Sequence, residues 1–126
     1  MTLNLSSSTN QLYGFWHIID TINQYTFSCS LFSKQVVNLT IYDTDSMISL
    51  ANPYNSYLTQ SCDPNIGCQS NLYVYFQWTN NTYDNMKSVT CAASSTNNQT
   101  LLPSPISIGV YVLPSGKSLK LKCLFK

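Results

Sequence analysis

The sequence predicts an all-β domain, an antiparallel two-sheet β-sandwich of seven to nine short strands with little or no helix. The 126-residue chain contains no Glu, no Arg and three Ala, so few strong helix formers are present. Apolar and polar side chains alternate in several short segments, which is the pattern of strands that bury one face. Turn residues separate these segments at intervals of about ten residues, which fits Greek-key or jelly-roll connections.

The N-terminus is predicted to be separate from the sandwich. Residues 1–10 form a flexible extension in this interpretation, and residues 11–126 form a single domain. The stretch Ser6–Asn10 is polar throughout and is typical of a linker. Leu3 and Leu5 would be the apolar side chains of a donor strand that pairs with the open sheet edge of a neighbouring copy.

The strands are predicted in chain order from the alternation of side chains. Residues 12–22 are mixed and fit either a strand or one turn of helix. The clearer strands cover Tyr25–Phe32, Gln35–Tyr42, Ser46–Leu50, Asn71–Thr79, Met86–Ala93, Ile106–Val112 and Leu119–Phe125.

Five cysteines allow two disulfides and leave one thiol over. Cys62 and Cys68 flank an Asp-Pro…Gly turn and are expected to form a local bridge. Cys29, Cys91 and Cys123 each lie on the apolar side of a strand, so any two of them could join across a core. The alternative is that all three are small buried thiols in a reducing compartment.

Part of the chain resembles immunoglobulin-type strands. Gln24–Ser30 is similar to the strand that carries the first cysteine of such domains, and Cys91 follows at the separation usual for the second. Ser88–Ser94 and Ser115–Cys123 also resemble first-cysteine strands. The resemblance implies an immunoglobulin-like sandwich, and a jelly-roll is the other sandwich that the strand pattern allows.

Two positions depart from the immunoglobulin pattern. The core Trp expected about a dozen residues after Cys29 is absent, and Tyr42 stands near that place. Val89 occupies the position, two residues before Cys91, where those domains carry a Tyr.

Candidate surface features are glycosylation sites and an aromatic patch. Asn-X-Ser/Thr sequons occur at Asn4, Asn38, Asn80 and Asn98. Tyr73 and Tyr75 lie opposite the apolar row of their strand and, with Gln77, form a candidate contact surface. Either a second sheet or a partner subunit would cover these tyrosines, or they would stack on a sugar.

The charge pattern excludes several functions. The net charge is +1, four of the six Lys lie in the last ten residues, and no basic groove is predicted, so nucleic acid is not an expected partner. Asp43 and Asp45 supply too few ligands for calcium. No signal peptide or membrane-spanning segment is recognised in this chain, since its longest apolar run, Ile106–Leu113, is too short. No catalytic residue, metal or cofactor is predicted.

The expected function is therefore a non-catalytic, extracellular, cell-surface or virion domain with a structural or adhesive role. It would act through contacts with a protein partner, and a homo-oligomeric filament or coat subunit is one form of this hypothesis. The alternative is a small lectin-like module with a glycan as its partner.

Overall fold

A computed structural model of the chain describes residues 2–78, 86–95 and 102–113. Within these ranges the domain is all-β, with nine strands and no helix, which confirms the predicted fold class. The strands are β1 (Asn4–Ser7), β2 (Leu12–Tyr13), β3 (Trp16–Ile19), β4 (Tyr25–Ser33), β5 (Val37–Asp43), β6 (Ser56–Asp63), β7 (Gly67–Phe76), β8 (Met86–Ser95) and β9 (Ile106–Val112).

The strands form two sheets that pack face to face. One is a four-stranded sheet of order β1-β4-β7-β6, and the other is a five-stranded sheet of order β2-β3-β9-β8-β5. Every pair is antiparallel except β3 with β9, which is parallel and departs from the expected arrangement. A hairpin connection forces antiparallel pairing, and no hairpin joins β3 to β9 because they lie near opposite ends of the described chain.

The core lies between the sheets and is crossed by a disulfide. Cys29 on β4 and Cys91 on β8 are fully buried and bonded to each other, with a Cα–Cα distance of 6.4 Å. Alternate side chains of β4, β5, β7 and β8 point into this interior, as their sequence pattern predicts. The prediction that thiols on apolar strand faces join across a core is confirmed for this pair.

Trp78 packs over aromatic side chains of the core just beyond the end of β7. Its indole meets Phe27 edge to face at 5.7 Å between ring centroids and Phe76 at 4.7 Å. Phe27 lies two residues before Cys29, so the aromatic cluster adjoins the buried disulfide along β4. A tryptophan therefore packs on this core from the end of β7. The next strand after the one that carries Cys29 is β5, and it contains no tryptophan.

In the middle of the chain, one strand prediction was wrong and one observed strand was not predicted. The segment Ser46–Leu50 is not a strand; it makes one isolated bridge, from Ser49 to Tyr42, after a turn in which Met47 has a φ of 61°. The strand β6 was not predicted. Its side chains are almost all exposed, so it shows no apolar alternation to detect.

The N-terminal segment also differs from the expected flexible linker. Ser6 and Ser7 belong to β1, which pairs with β4, and the hydroxyls of Ser6 and Ser28 are 2.8 Å apart. Leu3 is 4% exposed within the core. Hydroxyl and backbone hydrogen bonds hold Ser6 and Ser7 in place, so this end of the strand shows no apolar alternation in the sequence. The predicted strand Leu119–Phe125 lies outside the described residues.

Candidate functional site

Within its strands, the outward side of the four-stranded sheet carries one charged side chain, Asp63, at the end of β6. Because successive residues of a strand point to opposite sides, the strand register assigns each residue to one face. We call the outward side the tyrosine face, which consists of Asn4, Ser6, Thr26, Ser28, Ser30, Phe32, Tyr57, Thr59, Ser61, Asp63, Gln69, Asn71, Tyr73 and Tyr75. One row of it runs across all four strands as Ser6, Ser28, Tyr73 and Tyr57.

Three tyrosines form a stacked cluster on this face. Tyr57 lies opposite Tyr73 on the neighbouring strand, with ring centroids 4.9 Å apart and ring planes inclined by 25°. Tyr57 also stacks on Tyr75 at 6.1 Å and 28°. Tyr57 remains 48% exposed. The cluster is therefore packed within itself and open to solvent on its outer side.

The hydroxyl groups of Tyr57 and Tyr75 are linked by a hydrogen bond. Tyr75 donates a long hydrogen bond of 3.5 Å to the hydroxyl oxygen of Tyr57. Hydrogen bonding between these two hydroxyls, followed by burial, raises the pKa of Tyr57 above its ordinary value. An ordinary tyrosine is already protonated at neutral pH, and the upward shift of its pKa leaves Tyr57 uncharged there.

The remainder of the face holds amides and hydroxyls that bond to one another. Gln69 donates to the amide oxygen of Asn71 at 3.2 Å, and Asn71 donates to Thr59 Oγ1 at 3.4 Å. At the other edge the hydroxyls of Ser6 and Ser28 are paired. The bond between Gln69 and Asn71 lies within β7, and the other two cross between strands. Together they form a hydrogen-bonding surface beside the aromatic cluster.

The position of Tyr57 depends on the hairpin of β6 and β7. The second disulfide joins Cys62 to Cys68 across this hairpin, as the sequence predicts, with a Cα–Cα distance of 4.0 Å. Tyr57 and Tyr73 each lie five residues outside those cysteines, and so they are opposite in the same register. Sequence reasoning missed Tyr57, but counting outward from the predicted Cys62–Cys68 bridge would have placed it beside Tyr73.

The second sheet does not cover the tyrosines. The five-stranded sheet packs on the opposite side of the four-stranded sheet, where Cys29 meets Cys91. Gln77, which the sequence grouped with Tyr73 and Tyr75, lies beyond the end of β7. Its side-chain amide donates to the backbone oxygens of Thr21 and Ile22 at 2.9 and 3.0 Å, so it anchors a loop.

The candidate donor strand is part of its own domain. Leu5 lies opposite Cys29 in the register of β1 with β4, and Leu3 is buried in the core. Leu3 and Leu5 therefore complete the core of the chain that carries them.

Two sequons lie in described strands and two do not. Asn4 is exposed on β1 at one margin of the tyrosine face, and Asn38 is exposed on β5 in the other sheet. Asn80 and Asn98 lie outside the described residues, as does Cys123. Glycosylation of these sites stays a prediction.

The titratable groups elsewhere have local structural partners. His17 Nδ1 is 2.9 Å from Ser7 Oγ, and burial lowers the pKa of His17. Burial alone would raise the pKa of Asp20, but the backbone N–H groups of Asn23 and Ile22 donate to it and hold that pKa below its ordinary value. Asp43 accepts a hydrogen bond from the backbone N–H of Asp45, as in an Asx turn.

Among the described residues, no three His, Cys, Asp or Glu side chains cluster so that they could hold a metal ion. In the same part of the chain, no helix is long and apolar enough to cross a membrane. The two disulfides indicate a non-reducing environment. No protein-family model matches the chain, and no curated protein or solved structure does so either.

Proposed function

We propose that this chain is a non-catalytic domain of an extracellular, cell-surface or virion protein, and that it binds a protein partner through the tyrosine face. The observation that carries the proposal is the stacked cluster of Tyr57, Tyr73 and Tyr75, open to solvent on a sheet face whose one charged side chain, Asp63, lies at the other end of β6. Exposed aromatic side chains grouped in this way are typical of interaction surfaces.

The composition of the face suits protein recognition. Tyrosine gives a large contact area at low cost in conformational entropy, and serine and asparagine give adaptable hydrogen bonds. Mutual stacking immobilises Tyr57 and Tyr73 before any partner arrives. Little side-chain entropy is then left to lose on binding.

The dimensions of the face also fit this role. The four strands have 4, 9, 10 and 8 residues. At about 3.4 Å per residue and about 4.8 Å between strands, they cover an area on the order of 500 Å². A specific interface buries about 800 Å² on each partner. The tyrosine face therefore supplies most of the area that one partner buries in such an interface. The surrounding loops need to add only the rim of the interface.

The strand order supports placing the domain in the immunoglobulin-like class. If β1 and then β4 to β9 take the places of strands A to G, one sheet has the order A-B-E-D and the other contains G-F-C. The disulfide between Cys29 and Cys91 then joins strands B and F. Domains of this architecture commonly serve as contact modules on cell surfaces.

A glycan is the second candidate partner. The amides of Asn71 and Gln69 and the hydroxyl of Thr59 lie on the same face as the tyrosines, an arrangement that suits a sugar. Against this, Tyr57 stacks on both Tyr73 and Tyr75, so part of its ring surface is already in contact with its neighbours. A sugar ring needs a free aromatic face, and this favours the protein partner.

The test compares two sets of tyrosine substitutions in the disulfide-intact domain. We expect the double variant Tyr57→Ala/Tyr73→Ala to lose at least about tenfold in affinity on arrays of secreted and cell-surface ectodomains, because it removes the aromatic anchors. Tyr54→Ala is the matched control, since Tyr54 is 98% exposed and lies in the turn before β6.

Equal binding by the wild type and the double variant would contradict the proposal. A parallel glycan array with the same variants separates the two candidates. Tyrosine-dependent binding to sugars alone would replace the protein partner by a glycan.

A further inference from the structure

The strand β6 leaves an exposed and unguarded edge on the four-stranded sheet. It is last in the strand order, and every residue from Tyr57 to Asp63 is exposed. It contains neither Lys nor Pro, and its one charged residue, Asp63, comes at its end. Natural sheets usually protect such edges with charge, proline or a covering segment, because unpaired backbone groups recruit another strand.

The other sheet edges in the described ranges are short or covered. β1 has four residues and β2 has two. On β5, Leu50 N–H donates to Ile41 O and Asp43 N–H donates to Ile48 O, so the segment 48–50 covers part of that edge. The Gln60 side chain caps Val37 O. Among these edges, β6 alone is both long and open.

The register shows which backbone groups of β6 face outward. Tyr75 N–H donates to Asn55 O, and these two residues are opposite each other when the β6–β7 register is extended by one position. Hydrogen bonding alternates along an antiparallel strand, so Tyr57, Thr59 and Ser61 bond to β7. Leu58, Gln60 and Cys62 consequently present their N–H and C=O groups to the free edge.

We propose that the free edge of β6 pairs antiparallel with the same edge of a second copy of this chain, so that two four-stranded sheets become continuous. A two-fold axis through this edge opposes two strands of equal length. No charge lies between Ser56 and Cys62 in either copy, so no like charges are brought together. A charged peptide would instead leave its charges unpaired against this edge.

The tyrosine face would continue across this junction. Tyr57 projects from β6 itself, so the stacked clusters of the two copies would lie on the same side of the joined sheet. The proposed pairing makes a second copy of the chain one partner of the contact domain. To that extent the inference rests on the proposed function. It uses backbone groups of the edge, whereas the proposed function uses side chains of the face.

The experiment removes one outward N–H without disturbing the bonds to β7. Proline is tolerated on an edge strand where its missing N–H faces outward, so Leu58→Pro removes an edge donor only. Leu58→Ala is the matched control, because it shortens the same side chain and keeps the N–H. Sedimentation velocity over a wide concentration range measures the monomer–dimer equilibrium of each.

We expect the wild type and Leu58→Ala to form dimers as concentration rises. We expect the dissociation constant of Leu58→Pro to increase about tenfold or more, since each symmetric pair loses two hydrogen bonds. Amide hydrogen exchange on the wild type adds an independent measurement. Protection at Leu58, Gln60 and Cys62 should increase with concentration, while Thr59 should be protected throughout.

Several results would overturn the inference: a monomer at every concentration, a dimer unaffected by Leu58→Pro, an open-ended series of oligomers, or edge amides whose exchange is independent of concentration. If Leu58→Pro does not fold, the exchange data on the wild type decide by themselves. The two proposals can fail separately. If Leu58→Pro still binds another protein and Tyr57→Ala/Tyr73→Ala does not, the proposed function holds even where the edge pairing fails.

Discussion

Ser70 places a hydroxyl in the dry interior of β7. The side chain is fully buried, and its Oγ has no hydrogen-bond partner among the described residues. A buried hydroxyl without a partner has lost its hydrogen bonds to water and has formed none within the protein to replace them. The residue shows how a polar sequence can fill an apolar position with a small side chain at a local cost in stability.

Replacing this hydroxyl should stabilise the fold. We expect Ser70→Ala to raise the free energy of unfolding by about 1 kcal/mol, because the unsatisfied oxygen disappears and little volume is lost. Urea unfolding followed by fluorescence measures the change. Ser28→Ala is the control, since its hydroxyl is exposed and bonded to Ser6. A loss of stability in Ser70→Ala would show that the hydroxyl has a partner.

His17 should make stability depend on pH in the weakly acidic range. Burial lowers its pKa in the folded protein below the ordinary value of 6.5, so the unfolded chain binds the proton first as pH falls. Stability should therefore decrease from about pH 7 towards pH 5. The chain has one His and no Glu, so other side chains contribute little in this interval.

The measurement is thermal unfolding of the wild type and of His17→Gln at matched pH values. The unfolding temperature of the wild type should fall as pH decreases through this interval, and that of His17→Gln should not. The carboxyl of Asp20 affects stability only at lower pH. Its pKa in the folded protein lies below its ordinary value, so its contribution to stability is lost only as pH falls through that lower range. An identical slope in both proteins would assign the effect to another group.

At the scale of elements, the hairpin of β6 and β7 is set by a short disulfide loop. Cys62 and Cys68 are six residues apart, whereas Cys29 and Cys91 are 62 apart. The short bridge fixes the register that places Tyr57 against Tyr73. The long bridge ties one sheet to the other. The two disulfides therefore have different roles, one local and one global.

Removing each bridge should separate these roles. In the loop-entropy model, the Cys62→Ala/Cys68→Ala variant should lose about 2 kcal/mol of stability, and the Cys29→Ala/Cys91→Ala variant about 4 kcal/mol plus the cost of lost core packing. Denaturant unfolding measures both. Near-ultraviolet circular dichroism of the stacked tyrosines should change in the first variant. Equal losses of stability would contradict the distinction.

At the scale of the whole molecule, two sheets divide the protein into unlike surfaces. The four-stranded sheet presents the tyrosine face, with Asp63 as its one charged side chain, and the open edge of β6. The five-stranded sheet carries the exposed sequon Asn38 on β5, away from that face, whereas Asn4 lies at its margin. A glycan on Asn38 is thus compatible with contact through the tyrosine face, and one on Asn4 would narrow it.

Local patterns in the sequence determined the fold class and several elements. The alternation of apolar residues in β4, β5, β8 and β9 depends only on which side of a strand is buried, so it can be detected within a few residues. The Cys62–Cys68 bridge is similarly local, because its turn residues lie between the cysteines. These features required no knowledge of distant partners.

The tertiary structure alone decided which distant parts meet. Nothing near Cys29 distinguishes Cys91 from Cys123, and the choice follows from which strands lie across the core. The parallel pairing of β3 with β9 and the stacking of Tyr57 on Tyr73 likewise depend on long-range register. Such pairings are selected by packing of the complete sandwich, since exposed strands such as β6 leave no periodic trace in the sequence.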